Sequence, residues 1–324
     1  MSKVELVIFS DAHFHLWKNH NPNNRRTRKQ MAAVEKIFKI AFNEKADLVF
    51  TGDMFQDPES LNNSLLSLVQ PWFIELFNKY PVNLYGISGN HDMEETNSFK
   101  RRSPSYVFTL SNTIRRFNCI DFESVVLEDR GIALHGIPYI THNESIMDLI
   151  NSIVIDPKLY NILLLHTDFQ GQKDTNGLVI GKGSNIVEED LKRFNLVLSG
   201  HIHKKGKVRE NIYSVGSPYH TRLSDMGGSF GYWLLSRTDK GLKLKFKELD
   251  EGPKFGFMEE HNDPEMFLVP KPKNKAELME ASQTLDLSDK PKLISDYLKW
   301  SGDRSKSRRK YLKDLIERVR DEED

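Results

Sequence analysis

Short apolar runs separated by longer amphipathic stretches set the plan of the chain. Val4–Phe9, Leu48–Phe50, Val82–Ile87, Ile132–Leu134, Ile162–Leu165 and Leu196–Leu198 are rich in Val, Ile, Leu and Phe without strict polar alternation. That is the pattern of strands buried on both faces. Between them, Met31–Asn43 and Leu65–Asn78 place apolar residues at intervals of three and four, which predicts helices. Strands alternating with helices make βαβ units and a layered α/β domain. Further on, Ser229–Ser236 and Leu242–Leu249 predict a closing hairpin around Thr238–Gly241.

The pattern changes after about Glu251. Pro253, Pro264, Pro270 and Pro272 fall among charged residues, which suggests a linker or a loosely structured segment. Two amphipathic helical patterns follow. One collects Leu293, Ile294, Tyr297 and Leu298 on a face, the other Leu312, Leu315, Ile316 and Val319. The expected organisation is a main domain over 1–250, a linker over 251–283, and a helical module over 284–324. Amphipathic helices near a terminus commonly pack on their own domain. The Pro-rich segment before these favours a tethered module instead, and a detached helix pair cannot bury two apolar faces alone and would seek a groove on a partner. The run 304–313 holds six basic residues and no acid; it suits DNA phosphates, acidic residues of a partner, or plain solvation.

Composition narrows the classes further. Lys and Arg number 46 against 46 Asp and Glu, so no global field attracts nucleic acid or an acidic membrane, although a local patch can hide in a balanced total. The single cysteine, Cys119, leaves no internal disulfide, fits a reducing compartment and is too few for a thiolate metal site. No apolar stretch approaches the roughly 20 residues that span a bilayer, and the first residues read as a strand rather than a signal peptide. The expectation is a cytoplasmic protein without membrane contact.

Chemistry enters where the apolar runs stop. Val4–Phe9 leads to Asp11 and His13, Leu48–Phe50 to Gly52-Asp53, and Val82–Ile87 to Gly89-Asn90-His91-Asp92. Ile162–Leu165 ends at His166, and Leu196–Leu198 leads to Gly200-His201-Ile202-His203. Functional groups of open α/β sheets gather beyond the carboxyl ends of strands, so five such ends can build one site. Glycine before Asp53, Asn90 and His201 predicts a sharp turn at each strand end. Taken alone, an Asp-x-His or a Gly-Asp is a common polar turn; all five in order are not. Carboxylate, imidazole and an Asn carbonyl without thiolate suit Mn²⁺, Fe²⁺ or Zn²⁺ better than Ca²⁺. Asp11, His13, Asp53, Asn90, His166, His201 and His203 are too many for one ion and suit two ions sharing a carboxylate. His91, beside a ligand, is placed to contact the phosphate and protonate a leaving oxygen. The other six of the eleven histidines, including His15, His20, His135 and His220, default to surface or packing roles.

This series resembles the calcineurin-like metallophosphoesterase superfamily over roughly residues 4–236. Within it, Gly52-Asp53-Met54-Phe55 and Tyr213-Ser214-Val215-Gly216-Ser217-Pro218 are similar to the SbcD-type double-strand-break repair nucleases, and a compact chain of this kind suits a phage-encoded member acting in the host cytoplasm. The resemblance implies a sandwich of two mixed sheets flanked by helices, with a C-terminal helical extension. It implies Mn²⁺-dependent exonuclease and endonuclease activity on DNA ends, with Mg²⁺ as the alternative metal. It also implies a homodimer within a heterotetramer, whose terminal helices dock on the coiled-coil base of an SbcC-type ABC ATPase through Leu293, Tyr297, Leu298, Leu312, Leu315, Ile316 and Val319. By the same resemblance Asp11, His13 and His203 hold one metal, Asn90, His166 and His201 the other, Asp53 bridges them, and His91 is the catalytic histidine. Many members carry a second histidine where this chain has Gln56, so support for His91 falls to Gln56 or Asp57 or is absent. The resemblance also implies that 251–283 is a linker or a reduced remnant of the family's DNA-capping domain. The alternatives are a phosphodiesterase of nucleotides or other small esters, and a non-catalytic DNA-tethering scaffold for the ATPase.

Overall fold

The computed structural model describes residues 3–16, 22–56, 63–93, 114–140, 143–173, 188–222, 225–257 and 265–269, with residues 112, 179, 186, 260 and 263. Asp57, residues 270–324 with both expected C-terminal helices, and the basic run 304–313 lie outside the described residues.

Two six-stranded mixed sheets face each other among the described residues. The first contains β1 (Val4–Phe9), β2 (Asp47–Phe50), β3 (Leu84–Gly86), β4 (Phe117–Cys119), β11 (Gly231–Thr238) and β12 (Gly241–Glu248), in the order β12-β11-β1-β2-β3-β4. β1 through β4 run parallel, and β11 returns antiparallel beside β1. The second contains β5 (Ser124–Leu127), β6 (Ile132–Ile137), β7 (Tyr160–His166), β8 (Leu196–Gly200), β9 (Gly206–Lys207) and β10 (Ile212–Ser214), in the order β5-β6-β7-β8-β10-β9. Its centre, β6-β7-β8-β10, is parallel. The predicted sandwich of two mixed sheets is the fold observed.

Strand alternation divides the core into layers. Val7, Phe9, Leu48 and Phe50 face α1 (Arg25–Glu44) and α2 (Asn63–Lys79), while Leu6, Ile8 and Val49 face the second sheet. Helix α1 buries Ala33, Val34, Ile37, Phe38 and Ala41, and α2 buries Leu65, Val69, Phe73, Leu76 and Phe77, each at helical spacing. On the outside of the second sheet, Leu163, Leu165 and Val197 pack with Ile146 and Ile150 of α3 (Asn143–Ser152). Both central strand sets therefore point their carboxyl ends at the same edge of the sandwich, where the site lies.

Residues within the stretch assigned to a linker or reduced capping region are packed. β13 (Phe255–Phe257) and β14 (Phe267–Val269) form a parallel pair. Phe255 and Phe267 are buried, with the Arg26 and Arg25 guanidiniums of α1 over their rings. Composition missed this because three-residue strands carry almost no periodicity. Among the described residues no helix is long and apolar enough to cross a membrane.

Candidate metal centre

Backbone strain marks the site before any side chain is considered. Among the described residues eight non-glycine positions have positive φ, and four of them are Asp11 (51°), His13 (48°), Asp53 (60°) and His201 (82°). Each such position costs about 1–3 kcal/mol, although Asp and His tolerate it better than most residues. The fold sustains that cost by fastening these loops from several sides. Asp11 and His13 donate backbone N–H groups to the carbonyls of Gly52 and Asp53. From α1, Gln30 Nε2 donates to the carbonyls of Ala12 and His13 and Thr27 Oγ1 to that of His15, while the Tyr219 hydroxyl donates to Ala12 O at 2.6 Å. The Asp92 carboxylate accepts from Phe55 N and Gly89 N, joining the second and third loops.

The side chains converge in two overlapping sets. His13 Nε2 and His203 Nε2 lie 3.1 Å apart, with Asp11 Oδ1 at 3.8 and 3.9 Å from them. Asn90 Oδ1 lies 3.0 Å from both His166 Nε2 and His201 Nδ1. Asp53 Oδ2 stands between the sets, 3.6 Å from His13 Nε2 and 3.2 Å from His166 Nε2. His91 also comes within ligand distance of His13 and Asp53, but its Nδ1–H donates to the Gln56 carbonyl at 2.6 Å, leaving Nε2 for a substrate. The structure thus brings together all seven residues read as ligands, with His91 beside them.

Burial and mutual charge decide the protonation states. Burial pushes His13 well below the ordinary imidazole range, and burial with the neighbouring His166 takes His201 down to about 3. Both rings are held neutral, the form that coordinates metal. Burial would raise Asp53, but His166 and His91 draw it well below the usual carboxylate range; His166, despite its own burial, is raised to about 9 chiefly by Asp53. Asp11 is pushed up by burial. Its Oδ2 is buried with no hydrogen-bond partner, a costly state unless a cation satisfies it. That orphaned oxygen, two imidazole nitrogens aimed at each other and an amide oxygen aimed at two more fit divalent cations.

The glycines act differently from the sequence expectation. Of Gly52, Gly89 and Gly200, Gly52 alone has the positive φ of a sharp turn (102°). Gly89 is extended, and its role is room: a Cβ there would sit 2.1 Å from Asp53 Oδ1 and 2.7 Å from His166 Cε1. A Cβ on Gly200 would meet Thr51 O at 2.3 Å and His166 Nδ1 at 2.7 Å. These glycines cradle the His166 ring, whose Nδ1–H donates to Thr51 O at 2.7 Å.

Gln56 meets His91 through its main chain, not through a side chain standing in for the absent histidine. The amide is therefore dispensable in that contact. Gln56→Ala is expected to change the hydrolytic rate by no more than about twofold, the scale of a neutral surface substitution; steady-state kinetics on a small phosphodiester checks this.

The loop after Pro218 was not singled out from sequence. Asp225, buried, accepts from Thr221 N at 2.8 Å, Thr221 Oγ1 at 3.0 Å and Arg222 N at 3.0 Å. Thr221 Oγ1 lies 2.7 Å from His203 Nδ1, so a chain from His203 through Thr221 to Asp225 leaves His203 Nε2 facing His13. Burial opposes ionisation of Asp225, yet His203 pulls it to about 2. Such outer partners fix ligand orientation. Arg222 Nη2 reaches 3.1 Å from His203 Nε2, placing a cation at the rim, and Tyr139 stacks on the His201 ring at 6.1 Å. A lone Thr, Arg, Asp or Tyr outside a repeating motif gives no signal in sequence. His135, held by Ser124 and Asn161, and His220, packed on Phe230 and Phe255, keep the packing roles assigned to them.

Carboxylates, imidazoles and an amide collected at the carboxyl ends of two facing mixed sheets define a metal-dependent phosphoester hydrolase. The chain belongs to the calcineurin-like phosphoesterase family, which it matches over residues 5–205. No curated protein matches the sequence. Among solved structures it is similar to a dimetal phosphatase from Danio rerio, with 9% identity, 76% of this chain and 97% of that chain covered, and a TM-score of 0.49. It is similar to purple acid phosphatase PPD1 from yellow lupin (Lupinus luteus) seeds at 14% identity, over 78% of this chain and 54% of that chain, with a TM-score of 0.47. It is also similar to the Pseudomonas putida nuclease MPE at 12% identity, over 71% and 84% of the two chains, with a TM-score of 0.30.

Proposed function

We propose that the chain is a two-metal DNA nuclease of the SbcD type, processing DNA ends with an SbcC-type ABC ATPase. The observation that carries the two-metal reading is the position of Asp53 Oδ2 between the His13 and His166 rings. One carboxylate is thereby shared by the set Asp11, His13, His203 and the set Asn90, His166, His201. A pair of divalent ions, Mn²⁺ in the first instance and Mg²⁺ as the alternative, supplies Lewis-acid activation of water and of the phosphoryl group. His91 acts as the acid. With Nδ1–H anchored on Gln56 O, Nε2 is the nitrogen that takes up a second proton, and in that imidazolium form it passes the proton to the leaving oxygen and returns to neutral imidazole. Arg222 at the rim meets charge developing on the phosphoryl oxygens.

The DNA assignment is supported by the Gly52–Phe55 and Tyr213–Pro218 motifs. In the second, Ser217 N donates to His203 O, and a Cβ on Gly216 would sit 2.7 Å from Lys205 N. The motif therefore presses directly on the His203 loop. The helices of 284–324 are proposed to dock on the ATPase, in a heterotetramer built on a nuclease dimer. The test is cleavage of end-labelled linear duplex DNA in Mn²⁺ and in Mg²⁺, with and without the ATPase. Mn²⁺-dependent shortening of the label, stimulated by ATPase and ATP, is expected. Rapid hydrolysis of nucleotides or cyclic nucleotides with intact DNA would overturn the DNA assignment and favour a small-ester phosphodiesterase, and loss of all activity in Asp53→Asn would exclude a non-catalytic scaffold.

A further inference from the structure

The overall charge balance conceals a concentration of lysines on one edge of the sandwich. β9 and β12 are the outermost strands of their sheets on the same side, because their neighbours β10 and β11 meet: Tyr213 packs edge-on against Trp233 at 5.7 Å, and Trp233 Nε1–H donates to Val215 O. Lys204, Lys205 and Lys207 lie in and before β9, directly after His203. Lys243, Lys245 and Lys247 alternate along β12. Leu242, Leu244 and Phe246 of that strand turn inward to the core between the sheets, so alternation puts the three lysines on its other face. Lys205 Nζ sits 4.2 Å over the Phe246 ring, so Lys205, just before β9, reaches the β12 edge from its inner face while Lys243, Lys245 and Lys247 line its outer face. Among the described residues none of these six lysines makes an ion pair, whereas Lys29, Lys36, Lys79 and Lys192 each do.

The row also has a direction. Through β11, Phe246 stands level with Ile8 near the site end of β1, and Lys243 level with Val4 at the far end. Alternate residues of a strand are about 6.8 Å apart, so Lys243 to Lys247 covers roughly 14 Å. A small phosphoester in the metal centre cannot use cations that far along the strand. A duplex, with a negative charge every ~1.7 Å of its axis, can.

We propose that the β9–β12 edge is the track on which the phosphate backbone of a DNA duplex lies as it enters the metal centre. The inference rests on the nuclease reading above and adds the path by which the polymer is held. The test measures fluorescence anisotropy of a labelled linear duplex across a salt series, for the unmodified protein and the triple variant Lys243→Glu, Lys245→Glu, Lys247→Glu. Unfolding temperature and Mn²⁺ stoichiometry report whether the variant keeps its fold and metal site; if it does not, Lys→Gln at the same positions replaces it. Binding at least tenfold weaker, with a salt slope shallower by about 3, is expected, since each phosphate contact contributes about 0.9 to that slope. Duplex binding with unchanged affinity and slope would overturn the track and leave the nuclease reading standing. The same follows if the variant only self-associates, because edge lysines also block strand pairing. An unmodified protein that binds phosphatidylserine vesicles but no duplex would overturn both.

Discussion

Asp53→Asn is expected to abolish hydrolysis while leaving the fold intact. Asn tolerates a left-handed backbone as Asp does, so the φ of 60° at this position is retained and the substitution removes charge alone. That charge is buried between His13, His91 and His166. Loss of a partner that merely orients a metal ligand costs about 10–100-fold in metal affinity, and loss of a carboxylate shared by both ligand sets is expected to cost at least that much. Isothermal titration with Mn²⁺ reads the affinity, and the rate on a small phosphodiester reads the activity. Undiminished metal affinity in the Asp53→Asn variant would remove Asp53 from the bridging position.

His91→Ala is expected to separate chemistry from metal binding. The His91 ring is anchored by Gln56 O through Nδ1, and its backbone N–H donates to Asp53 Oδ1 at 2.8 Å. Alanine keeps the backbone hydrogen bond and loses only the imidazole. Loss of a positioned acid slows turnover by about 10²–10⁴-fold. Mn²⁺ stoichiometry should not change, since none of the seven proposed ligands is touched. A leaving group that departs without protonation, such as p-nitrophenolate, should suffer less than an alkoxide; equal losses on both would contradict an acid role for His91.

The long buried strands were legible because nothing else explains runs such as Val4–Phe9 or Leu196–Leu198 beside polar turns. The clustering of the seven ligand residues followed from one rule, that strand ends of a parallel sheet share an edge. What stayed hidden was short or tertiary. β5 exposes two of its four residues and buries one, and β9 has only two residues, so neither leaves a hydrophobic signature. The cradle role of Gly89 and Gly200 depends on where the His166 ring sits, over a hundred positions away from Thr51 in the case of its anchoring bond. Asp225 and Thr221 matter only because their loop folds against His203. Gln56 acts through a carbonyl that every residue possesses. Contacts of that kind are made by the fold, and residue type does not reveal them.

The central claim is that one buried carboxylate joins two metal sites. The most direct measurement is the Mn²⁺ content and electron paramagnetic resonance of the protein after titration. Two ions bridged at about 3.5–4 Å are expected to give two Mn²⁺ per chain with an exchange-coupled spectrum that disappears in Asp53→Asn. A single ion with the six-line spectrum of isolated Mn²⁺, unaltered by that substitution, would contradict it.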